Sequence, residues 1–361
     1  MKSGIRYIVL FLFLFVFTEA ESNNNSEPLA AYLKDSLWHF IDYNGNELFP
    51  PVSLQNVMGY SEGMFCVSVK TGTKEKWGFL DSSGTFVIEP RYDKVQLFSE
   101  GFSLAYEISR IAGTPQLISV IDKQGKAINK DDLIDALPFS EGLCFAYTRE
   151  GKSGFINSAG DFVINLKELI GTRFSEGLSV VTNYDLNAGY VNTQGELVIP
   201  IRYESAGKFS EGLAPVNKNS KYSYINKNGE VKIDGQFDYA HDFKEGRAFV
   251  GELYPKSFMT YWGLIDTSGK VIKEYKYFRV WDFSEGVAAV QDSIYWGFID
   301  RDANYIIPPS FSFASGFVKG IAWASKKNEG LFGYINKQGD YILKFDKFEK
   351  FIDLRLNKRM Y

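Results

Sequence analysis

Residues 76–101 read KWGFLDSSGTFVIEPRYDKVQLFSEG, and the turn in the middle of this stretch decides how the rest is read. Asp81-Ser82-Ser83-Gly84 separates two apolar runs, 77–80 and 86–88. An Asp at the first position of such a turn accepts hydrogen bonds from the turn's own backbone. A glycine at the fourth takes the left-handed conformation that a type I turn followed by a bulge requires. The stretch therefore predicts a β-hairpin whose two arms are joined by Asp-x-x-Gly.

The same turn, with Asp or Asn first, recurs along the chain. It reads IDYNG at 41–45, LDSSG at 80–84, IDKQG at 121–125, INSAG at 156–160 and VNTQG at 191–195. It continues as INKNG at 225–229, IDTSG at 265–269, IDRDA at 299–303 and INKQG at 335–339, with Ala303 alone departing from glycine. An aromatic-Gly pair often precedes it (Trp77-Gly78, Trp262-Gly263, Trp296-Gly297, Phe332-Gly333), and an apolar pair follows, as in VIPIRY at 198–203.

The closing tetrapeptide FSEG of 98–101 returns at 139–142, 174–177, 209–212 and 283–286, with near-copies at 60–63, 243–246 and 317–320. Each FSEG glycine opens a new unit, and Pro28 takes the glycine's place in the first. The units are thus 28–62, 63–100, 101–141, 142–176, 177–211, 212–245, 246–285, 286–319 and 320–361. Each predicts three short strands, which makes an all-β tandem array with little room for helices. A propeller blade usually has four strands over roughly 40–50 residues, so three-stranded units whose starts are 34 to 41 residues apart favour an open, twisted β-solenoid-like array. A closed propeller-like arrangement is the alternative. After Phe351 the FSEG pattern gives way to IDLRLNKRMY, which predicts a C-terminal cap with Arg355, Lys358 and Arg359 on its polar face.

These motifs resemble the WG (KWG) repeat of bacterial proteins, whose pattern runs from Gly-Leu-Ala through Lys-Trp-Gly-[Phe/Tyr]-Ile-Asp-x-x-Gly to Phe-x-[Glu/Asp]-Gly. Residues 76–101 match it almost throughout, and 295–311 match with the turn glycine missing. The units around Ile118 and Tyr222 lack the Trp-Gly pair. The resemblance implies a tandem β architecture and no particular chemistry.

The 361 residues carry 31 Phe, 22 Tyr and 33 Gly, a composition of strands and turns. A formal net charge of −4 lacks the basic excess of a nucleic-acid-binding protein. Lys2 and Arg6, the apolar run 7–17 and the small residues at 18 and 20 read as a secretory signal with a cut after Ala20. The run is too short to span a bilayer, which takes about 20 residues, so no stable membrane span is expected after cleavage. Residues 21–27 read as a disordered spacer, and the mature chain as secreted or held in the periplasm or cell envelope. Cys66 and Cys144 lie in units two apart and on opposite strand faces, predicting two buried free thiols.

Motifs of catalysis, cofactor and metal binding are weak. Gly151-Lys152-Ser153 lacks the upstream glycine of a phosphate-binding loop, and Lys152-Ser153-Gly154 fills the Lys-Trp-Gly slot of its unit. His39 and His241 have no Cys or His neighbours at zinc-ligand spacing. Glu62, Glu100, Glu141, Glu176, Glu211, Glu245 and Glu285 fall at equivalent positions, and bonding to turn backbone is favoured over a cation-binding row. Trp38, Trp77, Trp262 and Trp296 share one slot with Tyr222 and Phe332, which points to packing. Trp281 and Trp323 lie outside that slot and are the candidate binding residues. No catalytic residue, metal ligand or cofactor is assigned. The expected function is that of a non-enzymatic scaffold binding a protein or cell-surface glycan. An envelope-polymer-acting enzyme with its site in an insertion, at 113–116 or 252–260, and a purely structural spacer are the alternatives.

Overall fold

The computed structural model describes residues 27–107, 116–254, 259–326, 329–345, 350–356 and 358–359. The predicted signal and nearly all of the spacer lie outside these residues, as do 113–115 of one insertion and 255–258 of the other. Among the described residues the chain is all β, with no α-helix. Among the described residues no helix is long and apolar enough to cross a membrane.

The described strands form antiparallel sheets, seven of four strands and one of seven. One sheet shows the plan. A two-residue strand, Ser205–Ala206, pairs with Leu213–Lys218, which pairs with Lys221–Asn226, which pairs with Val231–Phe237. The last three are the strands expected of the repeat. The two-residue strand lies before FSEG and is too short to show a period in the sequence. The register slips at the Asp/Asn-x-x-Gly turn, between Tyr224 and Ile225, as the predicted bulge requires. Asp81 Oδ1 accepts from the N–H groups of Ser83 at 2.9 Å and Thr85 at 3.1 Å, and Gly84 N bonds Asp81 O at 3.1 Å.

The glycine of Trp-Gly has a steric cause. A Cβ at Gly78 would lie 2.4 Å from the carbonyl oxygen of Ile88, on the third strand. The seven-stranded sheet arises where this third strand is missing. After IDKQG only Ala127 bridges back to Ile121, and Asn129 Oδ1 takes the Val120 N–H at 2.8 Å. The edge so exposed pairs with Leu133–Ala136 through the single pair Leu133 and Ile118.

The sheets stack face to face, with apolar clusters between neighbours. Leu213, Tyr224 and Phe237 of one sheet pack with Ala248, Val250 and Ile265 of the next. Strands following each FSEG are buried on both faces, so they read as continuous apolar runs. Burial without a charged partner pushes the Cys66 and Cys144 thiols up, Cys144 to about 12, and both are free.

The C-terminal segment departs from the expected cap. Lys350–Asp353 pairs with Pro28–Lys34, from Ala30 opposite Asp353 to Leu33 opposite Lys350. One face of this shared sheet packs Leu29, Ala30 and Phe351 on Ile321, Trp323 and Tyr334, and the other packs Ala31 and Ile352 on Phe65 and Val67. Arg355, expected on a polar outer face, has a side chain only 2 % exposed. It pairs with Asp353 and donates to the carbonyls of Val318 at 2.9 Å and Ile321 at 2.6 Å. The first-last pairing buries what a cap would have exposed.

Candidate functional site

FSEG is a structural joint. Ser99 and Phe102 exchange backbone bonds of 2.8 and 3.2 Å, a two-residue hairpin loop with Glu100 at φ 53° and Gly101 at φ 86°. Two consecutive positive φ values define a type I′ turn, for which Asn-Gly is the usual choice. Glutamate is strained there, and its reach explains its use. The Glu100 carboxylate accepts from Glu141 N and Gly142 N of the following turn, both at 2.8 Å. Glu62, Glu141, Glu176, Glu211, Glu245 and Glu285 each accept from the corresponding glycine N–H of the turn that follows theirs. Lys123, Lys227, Arg301 and Lys337 lie 3.1 to 3.5 Å from Glu62, Glu176, Glu245 and Glu285. Serines add a second row, as Ser99 Oγ donates to Phe139 O at 2.8 Å and Ser140 Oγ to Phe174 O at 2.8 Å.

The units differ just before FSEG, and there the chain opens a cleft. The two residues ahead of Phe243 and Phe283 are His241-Asp242 and Trp281-Asp282. A cleft of about 320 Å³ is lined by His241, Trp262, Arg279, Val280, Trp281, Trp296 and Phe313. Its rings are held in place. Trp281 Nε1 donates to Ala314 O at 3.0 Å, and the His241 ring meets the Trp262 ring edge to face at 4.5 Å between centroids. His241 Nδ1 lies 2.7 Å from Asp282 Oδ1, and Trp296 rests against Phe313 at 6.3 Å.

His241 also borders a second cleft of about 410 Å³ with Ser205, Tyr222, Asp242 and Asp282. Burial, together with the nearby Asp282, pushes the Asp242 carboxyl up, and Lys208 at 3.7 Å offsets part of this. Ser, His and Asp thus meet in space here, but the Ser205 hydroxyl bonds the Tyr222 hydroxyl at 3.1 Å and no serine bonds His241 among the described residues. Ser153, of the Gly-Lys-Ser stretch, is buried and donates to Leu169 O, as the repeat register implies.

A model of the WG containing repeat matches residues 77–106, 189–222, 222–252, 262–292 and 296–329. The chain is a WG-repeat β protein. No curated protein matches this WG-repeat chain. Its structure is similar to a crystal structure of the eukaryotic initiation factor, at 11 % identity and TM-score 0.64 over 90 % of this chain and 97 % of that one. At that identity the likeness is one of fold alone. BamB from Moraxella catarrhalis aligns at 10 % identity and TM-score 0.43, over 74 % of this chain and 88 % of its own. The WD40 beta propeller domain of Doa1 aligns at 12 % and 0.31, over 83 % and 94 %.

Of the two tryptophans singled out in sequence, Trp281 stands in the cleft and Trp323 does not. Trp323 is 0 % exposed, its ring 4.2 Å from that of Phe351 where its sheet packs on the shared one. It belongs to the core because its strand has no solvent face. The shared Trp slot is mixed: Trp38 and Trp296 are buried, while Trp77 and Trp262 are half-buried, Trp262 at the cleft. The sequence marks His241 only by its lack of metal-ligand neighbours, which hides its place at the cleft. Its placing two residues before the repeat Phe, the position Trp281 holds one unit later, was the available signal.

Proposed function

We propose that this WG-repeat protein is an exported, non-enzymatic scaffold of nine units closed into a ring, and that it holds a segment of a partner protein in the aromatic cleft at Trp281. The observation that carries the binding reading is the cleft itself. Three Trp rings, a Phe and an Arg converge where the repeat is least regular, and binding hot spots draw on Trp and Arg above other residues. Rings already fixed by Ala314 O and Trp262 lower the cost of ordering them on contact.

The pairing of Pro28–Lys34 with Lys350–Asp353 supports closure, since it leaves neither end of the stack with an unpaired first strand. The basic and apolar N-terminal residues support export. Binding is favoured over hydrolysis because the His241–Asp282 pair serves to set the imidazole against Trp262 while Ser205 is turned to Tyr222.

The test is capture of envelope proteins and glycans on the immobilised mature chain, wild type against Trp281→Ala. A protein retained by the wild type and lost by the variant is the expected result. Retention of glycan alone, or retention indifferent to Trp281, contradicts the proposal.

A further inference from the structure

The charge pattern around the cleft defines its ligand more narrowly, on the reading that the cleft is a binding site. Among the cleft-lining residues Arg279 alone carries a permanent charge. It is exposed and makes no ion pair among the described residues. The neighbouring ionisable groups are matched. Asp282 holds His241 at 2.7 Å, and Asp242 lies 3.7 Å from Lys208 with Lys244 near it. The guanidinium at the cleft therefore has a fork of donors and no carboxylate. At the equivalent place before other FSEG-type turns stand Lys94, Asp135, Ile170, Ser205, Tyr239 and Phe313, so the arginine is particular to this cleft and no requirement of the fold.

We infer that the cleft takes an apolar-acidic peptide segment of its partner: one large apolar side chain among Trp262, Trp281, Trp296 and Phe313, with a carboxylate one or two residues away on Arg279. A volume of about 320 Å³ admits one bulky side chain with its adjoining backbone and excludes a folded element. A guanidinium binds a carboxylate through two parallel N–H bonds, a geometry that lysine or an amide cannot reproduce. Flat rings and a planar cation together select the pair of groups, where either alone selects little.

Fluorescence anisotropy with labelled nine-residue peptides tests this. A central Phe or Leu is followed by Glu, Gln or Lys, the other positions being randomised. The proteins are the mature wild type, Arg279→Gln, Arg279→Glu and Trp281→Ala, each checked for an unchanged thermal melt. The wild type is expected to prefer the Glu peptides by about tenfold over Gln, the scale of one charge-assisted pair. Arg279→Gln should erase that preference, Arg279→Glu should turn it toward Lys, and Trp281→Ala should weaken every peptide. If Trp281→Ala abolishes binding while the Arg279 variants bind all three series like the wild type, the cleft is a peptide site and the acidic assignment falls. If no series binds, or hexuronate oligosaccharides bind in place of peptides, the protein-binding reading falls with it.

Discussion

Lys319 pairs with Glu27 across 292 residues of chain. Lys319 stands where seven other turns place a glutamate, and Pro28 stands where the next turn would place a glycine. The two exceptions explain each other. A glutamate at 319 would reach for the N–H of residue 28, and proline has none. The row of turn-to-turn bonds ends at Gly320, and an ion pair takes over where the first and last strands meet. Reversing one charge should therefore harm the fold where reversing both does not. Lys319→Glu is expected to lower stability by about 1 kcal/mol, the scale of an exposed pair made repulsive. Adding Glu27→Lys should restore most of it, read as urea midpoints in a double-mutant cycle.

Glu100 holds two backbone N–H groups of the next turn, whereas Gly101 has open space around its missing Cβ. Glu100→Ala leaves both donors without the carboxylate and is expected to cost about 1–3 kcal/mol. Gly101→Ala meets no atom, so its cost is the left-handed backbone alone, about 1–2 kcal/mol. Adding Glu100→Ala to Gly101→Ala should cost less than the separate losses imply, because the same turn is already relaxed. Denaturant titration of the four proteins checks this.

The two tryptophans outside the repeat slot should part company. Trp323→Ala empties a site in the shared core and is expected to cost about 3–5 kcal/mol. Trp281→Ala should cost far less in a thermal melt, since its ring is half-buried, and should abolish partner capture.

Glu176 and Glu245 should make the fold sensitive to acid. Burial alone raises both carboxyls. Lys227 with Gly212 N–H at the first, and Gly286 N–H with Arg301 at the second, outweigh it and hold them below the ordinary carboxylate value. A carboxyl lowered in the folded state stabilises above its unfolded value, about 4.3, and that gain is lost as pH falls through the lower folded value. The melting temperature should therefore drop between pH 5 and pH 3, and Glu176→Gln with Glu245→Gln should flatten the drop by lowering the pH 5 end. These pH values are on the order of the ordinary carboxylate range.

Much of this architecture is legible in the residues. Asp81 and Gly84 carry the hairpin, Glu100 and Gly101 the joint, because each turn needs its own residue types at fixed spacing. Three features were hidden for physical reasons. The strand Arg279–Val280 is two residues long and shows no period. The pairing of Ala30 with Asp353 leaves no local mark, since strand pairing depends on shape across the whole chain. Alternation along the sequence implies an open face for Trp323, yet its strand is buried on both faces. The cleft was half visible: Trp281 broke the repeat register, but His241 and Arg279 join it only through the packing of neighbouring sheets.

The most direct measurement places a photoreactive benzoyl group on the Phe313 ring, inside the cleft, and illuminates the protein in cells. The account predicts a covalent adduct with a peptide of one partner protein, mapped by mass spectrometry to an acidic, apolar segment. The same group at Val198, on the exposed edge of another sheet, should not give it. Equal adducts from 198 and 313, or none from 313 in cells where the chain is abundant, would contradict it.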